Sequence, residues 1–163
     1  MTRSLLLAAT LLAVSAPALA SDVVRHKLAN PMLPIAGAVE VPAGKTLVFV
    51  SGAVPPVSDT SAPKDSVQAY GDTKTQATGA LRSIEAQLKE MGLTMGDVVK
   101  MQVFLVGDPA KGGKMDFAGF TEAYKQFFGT AAQPNLPARS TMQVAGLVSP
   151  NFLVEIEVTA VRP

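Results

Sequence analysis

Residues 72–106 read DTKTQATGALRSIEAQLKEMGLTMGDVVKMQVFLV, a helical period that gives way to a strand period, and this succession decides the fold. In the first half Ala77, Leu81, Ile84, Leu88 and Met91 recur at spacings of 4, 3, 4 and 3, the repeat of one helical face. Asp72 stands where a side-chain oxygen can cap the start, and Gly92 where a glycine can end the helix. Arg82, Glu85, Lys89 and Glu90 occupy much of the remaining surface. A helix with one apolar stripe and one charged side lies on something flat and apolar, and a sheet is that floor. In the second half Val99, Met101, Val103 and Leu105 alternate with Lys100 and Gln102, so Val98 to Val106 is a strand long enough to cross a sheet.

Working outward, Gly107-Asp108-Pro109 ends this strand, and Phe117, Phe120, Tyr124 and Phe127 repeat at 3, 4 and 3 in a second amphipathic helix closed by Gly129. An aromatic stripe on one helical face, with Glu122 and Lys125 elsewhere, reads as core. Two further strands follow, Ser140 to Val144 and Phe152 to Val161; the second alternates Val154, Ile156, Val158 and Ala160 with Glu155, Glu157 and Thr159. Upstream, Val23 to Leu28 and Thr46 to Val50 are short strands, and Pro55 to Lys64 is a surface loop rich in Pro and Ser. Two successive strand-helix-strand passages imply a single α+β domain whose helices share one face of the sheet.

The amino terminus carries Arg3, a largely apolar run from Leu5 to Val14, and Ala18-Leu19-Ala20 before Ser21, the three parts of a cleavable secretory leader. Ser15 and Pro17 close the run well short of the roughly 20 residues that span a bilayer. Residues 1–20 are therefore expected to be removed after Ala20, and the domain to run from Ser21 to Pro163 in the periplasm or outside the cell, with no membrane attachment after cleavage. The chain has 14 basic and 13 acidic residues. Arg3 leaves with the leader and no acid does, so the mature charge balances, which argues against nucleic acid or an anionic membrane as partner. There is no cysteine, which excludes thiolate chemistry and Cys-ligated metals. His26 is the only histidine and reads as a surface or strand residue.

Pro137-Ala138-Arg139-Ser140 and Val154-Glu155-Ile156-Glu157 mix charge into strands that otherwise belong in a core. If the two strands pair as antiparallel neighbours, Arg139 and Glu155 approach each other near one end of the sheet. They then form either a half-exposed ion pair or a pocket in which Arg holds a carboxylate while Glu handles water or a proton.

These pieces, together with Phe49-Val50-Ser51-Gly52, Asp97-Val98-Val99-Lys100, and Phe117-Ala118 with Tyr124, resemble in order and spacing the RidA/YjgF family of enamine/imine deaminases. The resemblance runs from about Leu47 to Arg162. It implies a chorismate-mutase-like fold, a homotrimer with a ligand cleft at each subunit interface, and hydrolysis of reactive 2-enamino or 2-imino acids to 2-keto acids and ammonia. It assigns the substrate carboxylate to Arg139 and the water or proton-transfer step to Glu155. Ser51 and Gly52 would leave room for the ligand, and the backbone carbonyl of Thr141, where many members have Cys, would hold a water. No metal and no organic cofactor is called for. The chain departs from the family at Leu33-Pro34-Ile35, where a Gly-Pro-Tyr segment is usual, and at Thr121, where Asn is common. The rival expectation is a non-catalytic protein of the same fold that binds a small carboxylate or acts as a holdase-type chaperone.

Overall fold

A computed structural model describes residues 22–30 and 32–163. The expected leader and the boundary at Ser21 lie outside the described residues. The long helix, α2, runs Thr73–Glu90, preceded by a single helical turn, α1, at Val67–Tyr70. The Asp72 carboxylate accepts the Thr75 N–H at 2.8 Å, satisfying one of the helix's free donors. Beyond the last turn Gly92 takes φ +72°, which a side chain would oppose. Ala77, Leu81, Ile84 and Leu88 are fully buried, and each large aliphatic contributes about 1.5–3 kcal/mol by leaving water.

Six strands form one sheet: β1 Val24–Lys27, β2 Ala36–Glu40, β3 Leu47–Ala53, β4 Val98–Val106, β5 Ala138–Val144 and β6 Val154–Val161. Their order is β1-β2-β5-β4-β6-β3. The bounds of β4 match the alternation read from the sequence. β2 was not anticipated; its Ala-Gly-Ala-Val-Glu sequence has too few branched side chains to signal a strand. The second helix, α3, spans Phe117–Tyr124. The chain then tightens, with Gln126 N–H bonding Ala123 O and Phe127 N–H bonding Tyr124 O, so Phe128 rather than Phe127 becomes fully buried.

The α2 crossover joins β3 to β4 on either side of β6, and the α3 crossover joins β4 to its parallel neighbour β5. Both helices cover the face formed by Met101, Val103, Leu105, Val154, Ile156 and Val158, as the sequence implied. Gln76, buried within α2, accepts the Leu153 N–H at 2.7 Å and donates to Gly71 and Asn151 carbonyls, tying the helix to the chain entering β6. Arg25 donates to the carbonyls of Gly96, Val98 and Leu136, fastening β1 beneath the starts of β4 and β5. His26 lies in β1 and meets Glu40 at 2.6 Å on the surface.

The expected pairing of β5 with β6 does not occur. β4 lies between them, with Arg139 opposite Met101 and Glu155 opposite Phe104. Consecutive strands are usually neighbours, but here the parallel α3 crossover seats β5 on one side of β4 while β6 takes the other.

Candidate functional site

Arg139 enters the sheet in register with Met101, and its side chain therefore points to the helix-covered face. There its guanidinium carbon lies 4.3 Å from the Tyr124 ring centroid, 5.0 Å from Phe120 and 5.9 Å from Phe117. The stripe read as core is thus core and also the seat of a cation. Burial lowers the Arg139 pKa, opposed by Tyr124, and burial raises that of the Tyr124 phenol against the pull of Arg139 and Arg25. The guanidinium nonetheless stays charged, since Arg is not deprotonated in proteins. Its Nη1 is buried with no hydrogen-bond partner, and no acid pairs with it among the described residues.

Thr141, two residues along the same face of β5, has a buried Oγ1 that also lacks a partner, as does the Tyr124 hydroxyl. Of four such orphaned side-chain atoms in the described residues, three belong to this neighbourhood, the fourth being Thr73 Oγ1. Buried polar atoms are nearly always paired, so a cluster of unpaired ones marks a place for a polar occupant. The Thr141 side chain, and not only its carbonyl, is therefore in question.

Glu155 lies on the other face. Its neighbour Ile156 is buried under the helices, while Glu155 shares a cross-strand row with Phe104 and Met142 on the open side. Gly52 is directly beneath it: a side chain there would collide with the Glu155 carboxylate, whose Cδ and Cγ lie 2.9 and 3.1 Å from the Cβ position. The register shift between Val50 and Ala53 sets this juxtaposition. Ser51, at the same bulge, is exposed and lines an open-face depression of about 340 Å³ with Phe49, Lys100, Gln102 and Glu157. One chain therefore brings Gly52 and Glu155 together, with Ser51 beside them, and separately gathers Arg139, Thr141 and Tyr124. It does not bring Arg139 to Glu155: two strand spacings, roughly 10 Å, and the thickness of the sheet intervene.

Ile35, at the position of the usual Tyr, lines a cavity of about 350 Å³ with Leu28, Leu33 and Leu136. Thr121 donates its hydroxyl to the Phe117 carbonyl at 2.8 Å. The aromatic seat of Arg139 was not recognised as part of a site from the sequence. The signal was present, since Phe117, Phe120 and Tyr124 share one face, but spacing alone cannot tell which side chain packs against that face.

A mixed six-stranded sheet carrying two main helices on one face is the chorismate-mutase-like architecture of YjgF proteins. The family model described as endoribonuclease L-PSP matches residues 24–162. The chain belongs to this family, which is the RidA/YjgF/TdcF family. It is 36% identical over 117 residues to the putative reactive intermediate deaminase TdcF of Escherichia coli K12, covering 72% of this chain and 80% of the relative. It is 34% identical over 117 residues to the 2-iminobutanoate/2-iminopropanoate deaminase of Salmonella typhimurium, with the same coverage of 72% and 80%. The crystal structure of E. coli TdcF with bound serine superposes with a TM-score of 0.56 at 34% identity, covering 80% of this chain and 93% of that one.

Proposed function

We propose that this protein is a cofactor-free hydrolytic deaminase of reactive 2-imino and 2-enamino acids, working at a site completed by a second copy of the chain. The observation that carries the reading is the half-buried Arg139 side chain, whose Nη1 is buried without a hydrogen-bond partner and which has no carboxylate partner among the described residues. A partly desolvated cation without a counter-charge is costly, and a substrate carboxylate supplies the missing partner through a charge-assisted, bidentate contact. The names of the deaminase relatives support the same chemistry, and the serine bound to TdcF supports a small amino-acid-like ligand.

The reaction needs few groups. An enamine tautomerises to its imine; water adds to the C=N carbon and the nitrogen takes up a proton. The carbinolamine then expels ammonia and leaves a 2-keto acid. Arg139 fixes the acid end so that the C=N carbon meets a positioned water. Glu155 accepts a proton from that water and returns one to the departing nitrogen. Because Arg139 and Glu155 occupy opposite faces of one sheet, Glu155 comes from a neighbouring copy. β2 meets β5 only at Ala36 and Ala138, so beyond that pair β5 is an open edge on which a neighbour can dock. The open sheet face carries Phe49, 77% exposed, with Met142 and Phe104, and a closed trimer would cover these apolar groups.

The leader-like residues 1–20 support export, so the mature protein is expected to begin at Ser21 in the extracytoplasmic fraction; amino-terminal sequencing that finds Met1 on cytoplasmic protein would refute it. The function itself is tested by steady-state hydrolysis of freshly generated 2-imino acids by the wild type, Arg139→Ala and Glu155→Gln. Turnover is expected in the wild type, none measurable in Arg139→Ala, and kcat reduced about 10²- to 10⁴-fold in Glu155→Gln. Tight 2-keto acid binding by a wild type with no turnover would favour a binding protein, and suppressed aggregation of unfolded clients with neither binding nor turnover would favour a holdase.

A further inference from the structure

Arg139 is held by contacts unlike those of the molecule's other half-buried arginine. Arg25 is fixed by three carbonyl oxygens that use its donors. The Arg139 side chain makes none of the side-chain hydrogen bonds found among the described residues and is flanked instead by rings, the nearest being Tyr124 at 4.3 Å. A ring attracts a guanidinium without consuming any N–H, so the donors remain for a ligand. Tyr124 is itself immobilised: it stacks on Phe128 at 4.8 Å and 16°, and meets Phe120 at 6.0 Å. Phe120 and Tyr124 lie on one side of α3 and Phe128 in the turn that follows it, and none of the three is exposed.

We propose that Tyr124 is a positioning residue, whose ring, locked between Phe120 and Phe128, holds the Arg139 guanidinium in the orientation that receives a ligand carboxylate. This rests on the reading of Arg139 as the carboxylate anchor. The positioning is assigned to the ring, which faces the guanidinium; the unpartnered hydroxyl belongs to the polar cluster open to the ligand and is tested separately. The arrangement also favours Arg over Lys at this place, because an ammonium offers no plane to stack and no fork to present. Phe117, 37% exposed, forms the outer wall at 5.9 Å and should matter less.

The test compares Tyr124→Phe, Tyr124→Leu and Phe117→Leu in the full assembled protein by two readouts. The first is KM and kcat for a 2-imino acid, with 2-keto acid affinity by calorimetry. The second is the NMR order parameter of the Arg139 Nε–H, which reports side-chain rigidity whether or not the protein turns anything over. Tyr124→Phe keeps the ring and should keep the wild-type order parameter, whatever the loss of the hydroxyl does to ligand affinity. Tyr124→Leu should raise KM and the 2-keto acid dissociation constant roughly tenfold or more, leave kcat within about twofold, and lower the order parameter. Phe117→Leu, at the exposed end of the stripe, should show the same pattern more weakly and serves if Tyr124→Leu does not fold. A folded Tyr124→Leu with wild-type affinity and a wild-type order parameter would overturn the proposal, as would a Tyr124→Phe whose order parameter falls as far as that of Tyr124→Leu. If the wild type binds no carboxylate at all, the anchor reading fails, while the order parameter still decides whether the rings fix the guanidinium.

Discussion

Replacing Arg139 by Met should make the unliganded protein more stable while removing its ligand response. In the wild type the guanidinium pays a desolvation cost that a full set of hydrogen bonds would offset, and its Nη1 has none. The rings of Phe117, Phe120 and Tyr124 return part of this, about 2 kcal/mol for a desolvated cation over an aromatic face. The effective penalty for a fully buried ion is several kcal/mol; Arg139 is half-buried and bears only part of it, so a net cost of about 1 kcal/mol remains. Met keeps an unbranched apolar stem on Tyr124 and adds a sulfur–aromatic contact without a charge. For roughly 140 residues the unfolding entropy is about 0.3 kcal/mol/K, so 1 kcal/mol corresponds to a rise in melting temperature of about 3 °C. A 2-keto acid at 100 times its dissociation constant should stabilise the wild type by about 2.7 kcal/mol, or about 9 °C, and leave Arg139→Met unmoved. Calorimetric melting at equal protein concentration measures both. An Arg139→Met protein that melts several degrees lower without ligand would show that the guanidinium is satisfied in the assembled protein, and a retained ligand shift would show that Arg139 is not the anchor.

Gly52→Ala places a methyl group where the Glu155 carboxylate now lies, and a flexible carboxylate can swing aside; kcat should fall at least tenfold while stability and 2-keto acid affinity change little, and wild-type kcat would disconnect Gly52 from the chemistry. Asp72→Ala should cost about 1 kcal/mol near neutral pH. The backbone N–H of Thr75 holds the Asp72 pKa below its ordinary value, so this contribution is complete above that value and is lost as pH falls through the depressed one. The melting difference from the wild type should therefore vanish in acid, and a difference that persists there would refute the cap. Gln76→Leu strands the Leu153 N–H and the Gly71 and Asn151 carbonyls, and should lower stability by about 1–3 kcal/mol by denaturant titration; a neutral substitution would mean that water replaces the amide.

The parts legible in sequence were those whose physics is local. The α2 period, its Asp72 cap and its Gly92 stop concern one helix against one apolar floor, and the alternation of β4 concerns one strand with a dry face. β2 escaped notice because Ala36, Gly37 and Ala38 carry little side chain, and it joins β5 at a single residue pair. The neighbourhood of Arg139 and Glu155 was misjudged because adjacency in sequence stood in for adjacency in space. Both residues were identified, but an insertion of β4 between their strands and the parity of each strand put them on opposite faces. Thr141 and Tyr124 carry a further lesson: an unpaired hydroxyl is visible only once every neighbour has been placed.

The central claim, a deaminase site assembled from Arg139 of one copy and Glu155 of another, is tested most directly by subunit mixing. Arg139→Ala and Glu155→Gln proteins, each close to inactive, are unfolded together, refolded as mixed assemblies and assayed with a freshly generated 2-imino acid. In a closed ring each interface joins one Arg139 donor to one Glu155 donor, so random mixing at equal amounts should restore intact sites at about one interface in four. Recovery towards a quarter of wild-type turnover is the predicted result. Mixed assemblies no more active than either parent, with wild-type controls refolding to full activity, would contradict it.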